Sequence, residues 1–289
     1  FLFCEQLFLV IEYYFLLVVP VILVSDLLDY PALIAAIFIC SIGGTFQYGF
    51  SVSVMTSPSV FIKELVNKSC VHRYDRTLKE WEVSLIWSFT LSIFCIGGLL
   101  GSLTAGSLNS RFGRKRCLLM NNFVAIFGAV LMLLSRAANS FEMIMVGRFL
   151  YGINAGVGLS AQAMYLTESA PKRLRAMVGV TIATFLSLGK FCGQLLGIRE
   201  LLGTENNWPW LLGFNGFAAL FQLCTLPLLP ESPRFLLLER GNFQASENGL
   251  MCHFPILRLS TLPYHFVLLR YYLIPVAPKG TVFSSLLSF

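Results

Sequence analysis

The stretch GGLLGSLTAGSLNSRFGRKR at residues 97–116 combines the two features that decide the fold. Its first part is apolar and carries small residues four positions apart, while its last eight residues hold four cations. A membrane-spanning helix needs roughly 20 mainly apolar residues, because the hydrocarbon layer of a bilayer is about 30 Å thick. The stretch is therefore typical of a helix that crosses a membrane and ends in a basic turn at its surface.

The composition of the whole chain agrees with a membrane protein. Hydrophobic residues make up 56% of the 289 residues, charged residues make up 12%, and the mean hydropathy is +0.73. So few charged side chains cannot cover the surface of a soluble protein of this length. The net charge of +6 lies in short clusters between apolar runs, whereas a nucleic-acid partner requires a continuous basic face. We therefore predict that the chain lies in a lipid bilayer and does not bind nucleic acid.

Cysteine and histidine patterns give no support for a metal or a cofactor. The eight cysteines form no CxxC pair, and most lie in apolar runs, where cysteine acts as a small core residue. His72, His253 and His265 are scattered, which does not favour a zinc site. Motifs of membrane enzymes such as HExxH and GxSxG are absent from the sequence. No catalytic residue, metal or cofactor is predicted.

Six segments are long and apolar enough to be membrane-spanning helices, which predicts an all-α membrane protein. They lie near residues 32–55, 83–108, 117–135, 143–165, 176–198 and 208–229, and together they define a membrane domain over residues 31–240. Residues 1–30 form an apolar extension that does not fit a secretory signal, so they are either an extra helix or a gene-model artefact. Four prolines interrupt the atypical tail at 241–289, which we interpret as a truncated or mis-spliced ending.

The loop near residues 56–82 is the only long connection between the six segments. It contains Asn67-Lys68-Ser69, an acceptor pattern for N-glycosylation, and it is polar enough to be solvated. If this loop is outside, the basic segments 109–116, 166–175 and the stretch after 230 are cytoplasmic, as the positive-inside rule requires. The same loop carries five cations of its own, which weakens the charge asymmetry.

Small residues recur four positions apart in three of the segments. They are Gly97, Gly101 and Ala105, then Gly152, Gly156 and Ser160, then Gly189, Gly193 and Gly197. Such stripes predict flat faces on which neighbouring helix backbones approach closely. The faces could serve static packing, or they could be smooth interfaces along which helices rock during transport.

Uncharged polar side chains occur deep within the segments, whereas carboxylates occur only at their edges. The candidate sugar-binding amides are Gln47, Asn154, Gln162 and Gln194. An amide can donate to and accept from a sugar hydroxyl without the desolvation cost of a buried charge, but it can equally bond a neighbouring helix. Because proton-driven carriers usually use an intramembrane carboxylate, this pattern favours passive transport.

Two cations also lie within the segments. Arg148 is near the outer end of its span and can snorkel to the membrane surface. Lys190 lies in the middle of its span and must face a cavity, find a partner or be costly.

The basic turns RFGRKR (111–116) and PKRLRA (171–176) are predicted to lie on the same membrane face. Glu168 stands at the inner end of the span that leads into the second turn, where it can bond Arg114 or Arg175 when the inner helix ends are together. The alternative is that the basic turns only anchor the topology on a solvated face. Gly113 permits the tight turn that brings the guanidinium groups round.

Six motifs occur in an order and spacing that resemble the N-terminal half of the facilitative hexose transporters of the major facilitator superfamily. They are GTFQYGF (44–50), GGLLGSLTAGSLNSRFGRKR (97–116), GRFLYGINAGV (147–157), MYLTESAPKRLRA (164–176), GQLLGIRELLG (193–203) and PESPRFLLLER (230–240). The resemblance covers about residues 31–246, and NAGV and IREL are more similar to the fructose-handling class II members. It therefore implies the N-terminal six-helix half of this fold.

The resemblance also implies roles for individual residues. An inner salt-bridge network that holds the outward-open state is implied for Arg111, Arg114, Lys115, Glu168, Arg175, Glu231 and Arg234. Sugar contacts are implied for Gln47 and Gln194. Ser51 stands where proton-coupled relatives carry Asp, which agrees with passive transport. Ala183 stands where glucose carriers carry Gln, which implies altered hydroxyl recognition.

The function implied by the resemblance is passive uniport of hexoses such as fructose or glucose by alternating access across the plasma membrane. Motifs of the family's second six-helix half are not found in this sequence, so that half is the expected missing partner and the chain is expected to be inactive alone. The alternative is a non-transporting half that binds or interferes with a full-length transporter.

Overall fold

The computed structural model describes residues 31–75, 78–170, 174–198, 200–232 and 235–236. The predictions for the extension at 1–30, for the tail at 241–289 and for Arg234 therefore lie outside the described residues.

Six helices of the described residues are long and apolar enough to cross a membrane, which confirms a multi-pass membrane protein. Numbered first to sixth span, they are Leu33–Ser53, Glu80–Phe112, Arg114–Leu134, Phe141–Ser169, Arg175–Leu196 and Trp208–Leu228. The part of the chain that the structure describes contains no β-strand, so the all-α prediction is confirmed there. Helices suit a bilayer interior because most of their backbone groups bond within the same helix.

The first span is not a single α-helix. It consists of α-helix at Pro31–Ser41, a π-helical segment at Ile42–Phe46 and α-helix again at Gln47–Ser53. The sequence analysis did not predict the π-helical segment. It falls between the helix start and Gln47, so it sets the direction in which Gln47 faces.

A single residue separates the second and third spans. The helix Glu80–Phe112 runs further than the predicted 83–108, and Gly113 follows with a φ of +96° before the next helix starts at Arg114. A side chain at that φ would be strained, and a Cβ there would lie 2.9 Å from the Phe235 ring. The prediction of a tight turn at Gly113 is therefore confirmed.

The long connection between the first two spans is mostly helical. Residues Ser59–Tyr74 form a helix, here called the loop helix. Its buried face carries Ile62, Leu65 and Val66, which pack against the bundle, while Asn67 and Lys68 lie on the exposed face. The prediction of a solvated loop is thus wrong for one face of this segment, because apolar residues at helical spacing bury it.

Glycine stripes lie where spans approach closely, which confirms the predicted flat faces, whereas their role in helix movement stays a prediction. A Cβ on Gly101 would lie 2.5 Å from the carbonyl oxygen of Ile153, so the second and fourth spans meet backbone to backbone. The fifth span meets the first in the same way, because a Cβ on Gly189 would collide with the carbonyl of Phe46. The third span packs between the fourth and the sixth.

Candidate functional site

A pair of buried amides joins the first and fourth spans. The Gln47 Oε1 accepts a hydrogen bond from the Asn154 Nδ2 at 2.9 Å, and Asn121 of the third span donates to the Asn154 carbonyl at 2.9 Å. The Gln47 Nε2 and the Asn154 Oδ1 have no hydrogen-bond partner among the described residues. Buried amide atoms normally find a partner, so these two atoms can bond water or a polar ligand.

The hydrogen bonds of the Gln162 side chain join the fourth span to the first. Its Oε1 accepts from the backbone N–H of Thr45 at 2.9 Å, and its Nε2 donates to the hydroxyls of Ser41 and Thr45 at 3.1 and 3.2 Å. The residue is 0% exposed. Of the two interpretations left open by the sequence, this geometry favours a bond between helices over a sugar contact for Gln162.

Gln194 lies apart from the other three amides. It is on the fifth span and is exposed, whereas Gln47, Asn154 and Gln162 are at most 4% exposed. The structure therefore brings Gln47 and Asn154 together and places Gln162 two turns away on the fourth span. Gln194 faces the surroundings of the bundle.

The third and sixth spans carry further buried amides that the sequence analysis missed. Asn215 donates to the Ser51 hydroxyl at 2.5 Å, and Gln222 donates to the Cys40 carbonyl at 3.4 Å. Asn121 and Asn122 are buried as well. The signal that identified Gln47 and Gln162, an amide within an apolar run, also applies to these residues and would have found them.

Arg148 does not snorkel, so the interpretation that it reaches the membrane surface is wrong. The residue is 3% exposed, and its Nη1 donates to the Ser51 carbonyl at 2.8 Å. Its guanidinium also lies over the Phe94 ring, 4.7 Å from the ring centroid. Because Ser51 is in the last turn of the first span, a carbonyl at the negative end of that helix attracts the cation into the bundle. Lys190 is half-buried, and its carbonyl accepts from the Ser53 hydroxyl at 2.9 Å.

A buried ion pair lies at the end of the bundle that carries the basic turns. The Arg114 Nη2 and the Glu168 Oε1 are 3.0 Å apart, and their side chains are 7% and 8% exposed. The second Glu168 oxygen accepts from the Ser232 hydroxyl at 2.5 Å. The Arg114 guanidinium also covers the Phe235 ring at 5.0 Å. Of the two predicted partners of Glu168, the structure selects Arg114.

Glu231 caps the third span from a distant part of the chain. Its Oε1 accepts from the backbone N–H of Lys115 at 2.8 Å, in the first turn of that helix. The Lys115 Nζ in turn donates to the carbonyls of Pro227 and Leu229 at 2.9 and 2.5 Å. A carboxylate at a helix N-terminus satisfies a free N–H and is favoured by the helix dipole. Glu231 and Lys115, two members of the predicted network, therefore bond backbone groups.

Arg111 and Arg175, the other described members of the predicted network, bond locally. Arg111 is exposed and lies 5.8 Å from the Phe112 ring centroid, and the Arg175 Nε donates to the Ala170 carbonyl at 3.3 Å. At the opposite end, Asn67 is exposed on the loop helix, while the Ser69 hydroxyl is buried and donates to the Asn139 carbonyl at 2.7 Å. Glycosylation of Asn67 stays a prediction.

Comparison with known proteins links this geometry to sugar transporters. A family model described as "Sugar (and other) transporter" matches residues 36–251. Solute carrier family 2, facilitated glucose transporter member 11 of Homo sapiens is 46% identical over 213 residues, which covers 74% of this chain and 43% of that protein. Facilitated glucose transporter member 5 of Bos taurus is 43% identical over 220 residues, which covers 76% of this chain and 44% of that protein. The chain thus spans less than half the length of these relatives.

Solved structures share the fold. The proton:xylose symporter XylE bound to 6-bromo-6-deoxy-D-glucose superposes with a TM-score of 0.65 at 20% identity, over 77% of this chain and 50% of that chain. XylE from E. coli in a partially occluded inward-open conformation gives a TM-score of 0.62 at 21% identity, over 76% of this chain and 53% of that chain. The described helices therefore have the fold of about half of a major facilitator superfamily transporter.

Proposed function

Since this chain belongs to the sugar (and other) transporter family, we propose that it forms one wall of a hexose carrier that works passively by alternating access. Transport of this kind binds the sugar between two six-helix units and rocks them about it, with no covalent chemistry. The second unit belongs either to the same polypeptide or to a separate one. Fructose and glucose are the proposed substrates, and the plasma membrane is the proposed location.

The contact between Arg148 and Ser51 carries the proposal of passive transport. The buried guanidinium bonds a backbone carbonyl, and the Ser51 hydroxyl accepts from Asn215. Within the described spans the carboxylates are confined to the helix ends, at Glu80, Glu82, Glu142 and Glu168. A carrier without a titratable acid beside its buried arginine has no group there to take up and release a proton.

Amides supply the proposed sugar contacts. Gln194 is exposed, and the Gln47 Nε2 and Asn154 Oδ1 have hydrogen-bonding capacity that the described residues leave unused. A sugar hydroxyl both donates and accepts hydrogen bonds, so it can bond the carbonyl oxygen or the NH2 group of an amide. Gln194 is proposed to contact the sugar directly, and the Gln47–Asn154 pair to bond it from behind, through water or after a side-chain rotation.

The ion pair between Arg114 and Glu168 is the proposed latch on the cytoplasmic side. It ties the start of the third span to the end of the fourth, and Ser232 adds the segment after the sixth span. An ionic contact that forms when inner helix ends meet and breaks when they part can bias the direction in which the cleft opens. Asn67 then lies outside.

Uptake of labelled sugar tests the proposal. Vesicles containing the full chain are compared with empty vesicles and with vesicles that also contain the second six-helix unit of a relative. We expect saturable uptake of fructose or glucose in the last case, with no dependence on a proton gradient. Lack of saturable uptake with either sugar in all vesicles contradicts the proposal. Inhibition of a co-expressed full-length relative, without uptake of its own, would instead support a regulatory half.

A further inference from the structure

The π-helical segment Ile42–Phe46 changes the register of the first span. In an α-helix each N–H bonds the carbonyl four residues earlier, whereas in a π-helix the bond reaches five residues back. The wider turn inserts one residue and leaves one N–H without a partner in the ladder. Single π-turns of this kind are rare and frequently occur at functional sites.

The Gln162 side chain accepts a hydrogen bond from a backbone N–H within the π-helical segment. The Thr45 N–H donates to its Oε1 at 2.9 Å, from a position 117 residues earlier in the chain. The Nε2 of the same amide donates to the hydroxyl of Ser41, which precedes the segment, and to the hydroxyl of Thr45 within it. One side chain of the fourth span thus bonds the beginning and the middle of the irregular turn.

Two adjacent glycines, Gly43 and Gly44, let side chains from the sixth and the fourth span approach the segment. A Cβ on Gly44 would collide with the Gln162 Oε1, and a Cβ on Gly43 would collide with the Gln222 Oε1. Gln222 of the sixth span also bonds the Cys40 carbonyl at 3.4 Å. Gly44 is therefore required for the bond between Gln162 and Thr45, whereas Gly43 admits Gln222.

We propose that Gln162 is a positioning residue that holds the first span in its π-helical register and thereby sets the direction of Gln47. Without this amide, the buried Thr45 N–H is satisfied only if the ladder returns to an α-helix. Removal of the extra residue from the turn rotates the segment 47–53 by about 100° relative to Pro31–Ser41. Gln47 would then turn away from Asn154. The link to sugar binding rests on the proposed function, but the register itself does not.

Distance measurement between spin labels tests the register directly. Genetically encoded labels are placed in the full chain at Val52, which follows the π-helical segment, and at Phe123 on the third span. A second pair, Phe38 and Phe123, reports on the part before the segment. Val52 is 43% exposed, Phe123 is 61% exposed and Phe38 is 53% exposed, so labels fit at these positions. Encoded labels leave the eight native cysteines in place.

The test variants are Gln162→Leu, which removes the acceptor, and Gly44→Ala, which displaces it. We expect both variants to displace the Val52 label by about 8 Å, because a rotation of about 100° carries a side chain around a helix about 11 Å wide. The Val52–Phe123 distance should therefore change by up to about 8 Å. The Phe38–Phe123 distance should stay as in the parent, which shows that the variant is folded. Gln162→Glu retains an acceptor oxygen and, because burial favours the neutral carboxylic acid, should give the parent distances.

Gly43→Ala is the matched control, since it adds the same methyl group one residue earlier against Gln222. An unchanged Val52–Phe123 distance in folded Gln162→Leu and Gly44→Ala overturns the proposal. An equal shift in Gly43→Ala also overturns it, because general crowding of the first span would then explain the movement. None of these distances requires sugar transport, so they stand or fall separately from the uptake experiment.

Discussion

The Arg114 guanidinium lies 3.0 Å from the Glu168 carboxylate, across the join between the third and fourth spans. Each group has a second anchor, since Arg114 covers the Phe235 ring and Glu168 accepts from Ser232. The pair is thus the centre of a cluster that ties together three parts of the chain that are distant in sequence.

Glu168→Gln is expected to destabilise the bundle by about 3 kcal/mol, because it leaves the buried Arg114 without its counter-charge. The free energy of unfolding can be measured by SDS titration in micelles. Glu64→Gln is the matched control, since Glu64 pairs with Lys68 on the surface at 52% and 65% side-chain exposure. That loss should stay below about 1 kcal/mol. Equal losses in the two variants would show that the inner pair is no stronger than a surface pair.

Glu231→Ala should lower the free energy of unfolding by about 1 kcal/mol, because the Lys115 N–H loses its capping acceptor. Glu231→Gln keeps an oxygen in place and should cost only a few tenths of that amount. Hydrogen exchange at the start of the third span provides the local readout, and it should accelerate in the alanine variant alone. If both variants behave alike, the charge rather than the hydrogen bond stabilises this helix end.

Two glycines of the second span should respond differently to substitution by alanine. A Cβ on Gly101 meets the Ile153 carbonyl at 2.5 Å, so Gly101→Ala is expected to cost about 1 to 3 kcal/mol by forcing the second and fourth spans apart. No heavy atom lies within 4 Å of a Cβ on Gly106, so Gly106→Ala should be neutral or stabilise the helix by up to about 1 kcal/mol. Thermal unfolding of the two variants decides the matter, and destabilisation by Gly106→Ala would indicate a partner on that face.

The features that could be predicted from the sequence are those that depend on nearby residues. The lengths of the apolar runs predict the spans. The glycine between Phe112 and Arg114 predicts the turn, because the ability to adopt a positive φ depends on the residue itself. The π-helical segment could not be predicted, since its stabilising amide, Gln162, is 117 residues away from Thr45. The inward direction of Arg148 depends likewise on a carbonyl 97 residues away.

The candidate site follows the same division. Residue type within an apolar run identified Gln47 and Asn154, but the sequence could not show that they bond each other. The sequence suggested an arginine partner for Glu168 but left Arg114 and Arg175 open, because both are predicted to lie at the same membrane face. Which of two cations bonds a carboxylate depends on helix packing, and therefore on the whole bundle.

In vesicles that also contain the second six-helix unit of a relative, Ser51→Asp is expected to make the proposed sugar uptake respond to protons. The new carboxylate would lie on the residue whose carbonyl bonds Arg148, in a buried site that already holds the Asn215 amide. A carboxylate that must lose or gain a proton beside a buried cation couples its charge to the movement of the surrounding helices. Uptake by this variant should therefore change severalfold as the external solution is made mildly acidic, whereas the parent should be unaffected. Ser51→Asn has a similar size without a titratable group, so it should behave as the parent. If both variants show the same flat profile, the group at Ser51 does not determine proton dependence, and the proposed basis of passive transport fails.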